Sequence, residues 1–150
     1  MSVLIEFLSR ENPIELAGYT VDVWPFELGI ILGFASFLMM IFLFSRAYSP
    51  LASGKLTGFF GSVFVIPAIE ELIFRLVMIT LLIYAFGSPW IAILISAFLF
   101  ATAHIPSGGG FKFIGTFLMS LLYGFVFVEF GIISPIIGHM THNFLSGVSG

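Results

Sequence analysis

Residues 67–78 read PAIEELIFRLVM, two adjacent glutamates and an arginine set in an otherwise apolar run. Charge in hydrocarbon is expensive, so ionisable side chains inside a membrane span mark function by default. The residues on either side decide whether the run lies in a membrane. Of the 150 residues, 59% are hydrophobic and 9% charged, and the mean hydropathy is +1.17. A soluble domain carries about 25% charged residues. So few charges cannot cover a water-facing surface, and the chain reads as an integral membrane protein. The net charge of −3 gives no sign of nucleic-acid binding. The absence of cysteine excludes disulfides and thiolate metal sites. The start, MSVLIEFLSRENPIEL, is broken by Glu6 and Arg10 and lacks the charged, apolar, small-residue order of a cleaved signal peptide.

A hydrocarbon core of about 30 Å needs about 20 apolar residues per helix. The chain offers five such segments, at 26–45, 56–86, 89–105, 111–130 and 132–148, the last short and polar for a lipid-exposed span. The predicted fold is an all-α polytopic bundle over 26–150, preceded by an interfacial or aqueous segment at 1–25 that has the composition of an amphipathic helix. Loops rich in Gly, Pro and Ser fall at 45–55, 86–89 and 106–110, and the three glycines of the last make it a candidate gate. Arg46, Lys55 and Lys112 against Arg10 predict an outside N-terminus and a cytoplasmic C-terminus. The second segment is long, about 46 Å as a helix, so it must tilt, project or kink, and Pro67 is the expected kink.

Within these segments the polar groups fall into clusters. Glu71 and Arg75 are four apart and share a helix face, which suits an internal ion pair. Glu70 is turned about 100° away and is left for chemistry. Glu129 sits near a predicted span end and reads as an interfacial carboxylate. Phe100 and His104 repeat the four-residue spacing, as do His139 and Asn143, with His142 on the flank of that face. Measured along the helices, Glu70 lies about 21 Å from the inner end of its segment and His104 about 22 Å from the outer end of its own. Those depths let Glu70, His104, His139 and Asn143 meet in one buried cavity, in the cytoplasmic half of the bilayer. A carboxylate can take a proton from water, a histidine can orient that water, and a second histidine with an asparagine can hydrogen-bond a tetrahedral oxyanion. The set suits amide hydrolysis. Spacing alone does not choose between His139 and His142.

The pattern E-E-x-x-x-R (Glu70, Glu71, Arg75), F-x-x-x-H (Phe100, His104) and H-x-x-x-N (His139, Asn143), each in its own apolar segment, resembles the CPBP intramembrane proteases, the CAAX-protease and bacteriocin-processing or Abi group that includes the Rce1-like endopeptidases. The resemblance covers about 60–147. It implies that Glu70 and His104 activate water, that His139 and Asn143 form the oxyanion hole, and that Glu71 and Arg75 support the site. Phe100 and His142 are candidates for the surrounding support. No cofactor is expected; the alternative is zinc on Glu70, His104 and His139. The expected partners are membrane lipid and a protein or peptide substrate, prenylated or membrane-anchored; a homo-oligomer is open. The departures from the family pattern are Leu76, where glycine often follows the arginine, and about five spans where larger relatives have about eight. Two rival readings stand beside protease. One is a non-proteolytic adaptor or immunity-type scaffold keeping the fold; the other is a small proton-coupled transporter, since intramembrane Glu and His also build proton relays.

Overall fold

The computed structural model describes residues 13–16, 19–22, 24–44, 56–107 and 109–148. The fold is all-α, five helices preceded by one short hairpin. β1 (Pro13–Leu16) and β2 (Tyr19–Asp22) pair antiparallel, with Leu16 opposite Tyr19. Residues 13–16 and 19–22 therefore form no amphipathic helix; residues 1–12 of that predicted segment lie outside the described residues. Alternation of apolar and polar residues in "IEL" and "YTVD" fits a strand, and a proline is tolerated as the first residue of one.

The helices follow the expected segments closely. α1 is Trp24–Phe44, with Pro25 early in its first turn, where a missing N–H costs nothing. α2 is continuous over 56–86 but changes register along its length. Gly61–Val65 and Leu72–Ile79 are π-helical, with Leu56–Phe60, Ile66–Glu71 and Thr80–Phe86 in ordinary α geometry. At Pro67, where a kink is expected, the helix changes from π to α register immediately before the proline. α2 ends at Gly87, whose φ of 65° is a left-handed conformation that glycine adopts without strain. Ser88 then caps α3 (Pro89–Ala103) by accepting from the Ile91 N–H.

Two of the predicted loops have different fates. The 45–55 loop, with Arg46 and Lys55, lies outside the described residues. The candidate gate at 106–110 is a single 3-10 turn, Ile105–Ser107, followed almost at once by α4 (Gly109–Phe130), so two of its glycines begin a helix. α5 is Ile133–Val148.

Packing places the site helices together. α1 lies along α5 at very close range because Gly29 and Gly33 have no side chain. A Cβ on Gly29 would come within 2.6 Å of Ile137 Cβ and 2.8 Å of the Ser134 carbonyl, and one on Gly33 would collide with Thr141. This is the small-xxx-small contact by which membrane helices approach each other. One core cluster joins Leu32 and Met40 of α1 to Met119, Tyr123 and Val126 of α4; another joins Ile79 of α2 to Ala92 and Ile93 of α3. The outward surface is apolar, with Phe42 87% exposed, as a lipid-facing surface is. Two helices, at Pro25–Leu43 and Lys112–Phe130, are long and apolar enough to cross a membrane, and α3 is a shorter apolar helix.

Candidate active site

The site is built where α2, α3 and α5 meet. Glu71 and Arg75, four residues apart, both point inward and are fully buried. Arg75 Nε is 3.0 Å from Glu71 Oε2, an ion pair in contact but not a well-directed hydrogen bond. The guanidinium centre lies 4.9 Å over the Phe100 ring, a cation–π contact that supplies part of the stabilisation that Nη1 and Nη2 lack. Glu71 has a second task that its neighbours in the chain do not reveal. Its Oε1 accepts from His139 Nδ1 at 2.9 Å. The carboxylate therefore joins Arg75 on its own helix to His139 on α5.

Glu70 is on a different face, as the helical offset requires, and is a quarter exposed. Its two oxygens meet two histidines. His104 Nε2 is 3.8 Å from Oε1 and His139 Nε2 is 3.7 Å from Oε2. His104 ends α3 and turns back so that its Nδ1 donates to the Phe100 carbonyl at 2.8 Å. Carbonyl and carboxylate oxygens only accept, so both Nδ1 atoms hold a proton. In neutral histidines both Nε2 lone pairs then face Glu70. Separations of 3.7–3.8 Å are too long for direct hydrogen bonds, but one water oxygen can lie within hydrogen-bond distance of both members of either pair. Phe100 backs this arrangement, 4% exposed, with its ring centroid 4.5 Å from that of His104 and 6.0 Å from that of His139.

The same three groups match the ligand types of a zinc site, with each Nδ1–H held by an oxygen as metal-bound histidines usually are. Two ligands on a tetrahedral zinc stand about 3.4 Å apart. The side chains would need to close by a few tenths of an ångström, and among the described residues no three His, Cys, Asp or Glu groups stand at metal-binding spacing.

The two polar residues beside His139 on α5 have hydrogen-bond partners outside this group. Asn143 Nδ2 donates to the Ser62 carbonyl of α2 at 3.0 Å. His142 faces α1, its Nδ1 3.0 Å from Ser36 Oγ, which is also 2.9 Å from the Tyr123 hydroxyl and donates to the Gly33 carbonyl. Between the two histidines that spacing left open, His139 is the one at Glu70. Sequence reasoning did not find Ser36, Ser62 or Tyr123; a serine or tyrosine in an apolar helix has no spacing signal that names its partner. It read Lys112 only for orientation, yet the first turn of α4 brings this ammonium within Coulombic reach of Glu70.

Comparison with known proteins places the chain in a family. Residues 52–145 match the family model described as Type II CAAX prenyl endopeptidase Rce1-like. Among curated proteins, the sporulation-killing factor biosynthesis protein SkfC of Bacillus subtilis (strain 168) is 32% identical over 77 residues, 49% of this chain and 16% of that protein. The chain thus matches only a small part of that relative's length. No solved structure matches. The family model spans Glu70, Glu71, Arg75, Phe100, His104, His139 and Asn143 together, and on that match the chain belongs to the Rce1-like family of CAAX prenyl endopeptidases.

Proposed function

We propose that this chain is an intramembrane endopeptidase that hydrolyses a peptide bond of a membrane-anchored or prenylated polypeptide. The observation that carries the reading is the convergence of His104 Nε2 and His139 Nε2 on the two oxygens of Glu70. Glu70 takes one proton from a water held between it and His104, and the hydroxide adds to the scissile carbonyl carbon. In its protonated form His139 has one N–H on Glu71 and a second for the oxyanion. Asn143 Nδ2 carries two hydrogens; one is on Ser62, and the other is a second donor to the oxyanion. Collapse breaks the C–N bond, and the proton held by Glu70 passes to the departing amine. The low dielectric of the site strengthens each interaction. The substrate class is carried over from the family's description and from the relative named for biosynthesis of a killing factor.

A metal-free reaction needs nothing beyond these groups. The alternative, favoured by the held Nδ1 protons, is zinc on Glu70, His104 and His139; such an ion supplies Lewis acidity and lowers the pKa of a bound water. Purified protein in detergent, given prenylated and plain fluorogenic peptides with and without chelator, separates the two. Cleavage insensitive to chelator is expected; loss with chelator and recovery on adding zinc would overturn the metal-free mechanism.

The site also has a side. His104 ends α3 about 22 Å from its start, while Tyr84 and Trp90, 92% and 68% exposed, flank the turn at the other end, as interfacial aromatics do. With the N-terminus outside, that turn is outside and the site is cytoplasmic. The chain has no cysteine, so single cysteines report without background. Tyr84→Cys is expected to react with an impermeant maleimide on intact cells and Gly110→Cys only after permeabilisation; the reverse pattern would invert the topology.

A further inference from the structure

The hydrogen bond from Asn143 to Ser62 answers a specific deficit in α2. In the π-helical stretch Gly61–Val65 each N–H reaches back five residues, and the Ile66 N–H duly goes to the Gly61 carbonyl. The next bond in that register would run from residue 67 to the Ser62 carbonyl. Residue 67 is proline and has no N–H. Ile66, the donor in α register, is already on Gly61. The Ser62 carbonyl is thus left without a helical donor from either residue, in a segment where water is scarce, and Asn143 Nδ2 supplies one at 3.0 Å. A second carbonyl, at Phe74 in the other π-helical stretch, is met in the same way by Ser96 Oγ at 2.7 Å.

This bond sits eight residues, about two turns, before Glu70. A second tie, Glu71 to His139, sits just beyond it, and both ties join α2 to α5. We infer that Asn143 is a positioning residue for Glu70, its amide replacing the backbone donor that Pro67 removes and fixing the Glu70 turn against the helix that bears His139. The role adds to the oxyanion contact and uses the other amide hydrogen. Its catalytic half rests on the protease reading; its structural half does not.

The test is a rescue. Asn143→Ala leaves the Ser62 carbonyl bare, and melting in detergent is expected to fall by about 5 °C, with kcat reduced and KM unchanged. Pro67→Ala on top of it restores an N–H at residue 67 facing Ser62. The double variant is expected to regain most of the lost melting temperature, and kcat is expected to rise at least fivefold over Asn143→Ala. Recovery of melting temperature without recovery of kcat would keep the structural tie but overturn the positioning of Glu70 by it, leaving the whole kcat loss to the oxyanion contact. A double variant as unstable as Asn143→Ala, with Pro67→Ala alone close to wild type, would overturn the inference. Because melting is read without substrate, that result is distinct from failure of the protease reading, in which wild type itself cleaves nothing.

Discussion

Glu70→Gln removes peptide cleavage, by about 10³-fold in kcat, while melting temperature stays close to wild type. The expected size is that of losing a positioned general base. The amide keeps the shape of the carboxylate and can still accept a hydrogen bond, but it cannot hold a proton taken from water. Stability is spared because Glu70 is a quarter exposed and makes no close hydrogen bond to either histidine. The measurement is single-turnover cleavage beside a melting curve on the same preparation. The rivals predict otherwise. An adaptor keeps its function in this variant, and a proton-coupled carrier loses pH-dependent flux with no peptide product in either form.

Arg75→Met has the opposite signature, a collapse of stability first. Removing one partner of a buried ion pair leaves an uncompensated charge and costs about 3–5 kcal/mol. Here the stranded group is the Glu71 carboxylate, which is fully buried. Methionine fills much of the volume but supplies neither the charge nor the stacking on Phe100. Glu71→Leu combined with Arg75→Met removes both charges, and neutral pairs of similar volume are well tolerated. The double variant is therefore expected to recover most of the lost stability. It is not expected to recover cleavage, because His139 Nδ1 has lost the oxygen that holds it. Urea or thermal unfolding against kcat checks the split; a double variant that folds and cleaves normally would remove Glu71 from the site.

The helical part of this fold was legible because its punctuation is local. Pro89 after Ser88, Gly87 and Gly131 at helix ends, and apolar runs near membrane length place most helix boundaries within two residues of those observed. Glu71 with Arg75 and Phe100 with His104 were legible for the same reason, since four residues is one helical turn. Long-range pairing was not. Nothing in the order of residues says that Glu71 meets His139 across 68 positions, or that Ser36 joins His142 to Tyr123. Such partners depend on how the helices cross, which small residues such as Gly29 and Gly33 permit but do not specify. The π-helical stretches were hidden too, because one carbonyl in each, at Ser62 and Phe74, takes its donor from another helix, Asn143 and Ser96. At the N-terminus, four-residue strands carry too short a pattern to be told from an amphipathic turn.

The central claim is that water, activated at Glu70, is added across a peptide bond. Cleavage in water enriched in oxygen-18, followed by mass spectrometry of both fragments of a membrane-anchored prenylated peptide, tests it most directly. The account predicts two fragments, one heavy oxygen incorporated in the new C-terminal carboxylate of the wild-type product during a single turnover, and no product from Glu70→Gln. Equal yields of labelled fragments from wild type and Glu70→Gln would contradict it.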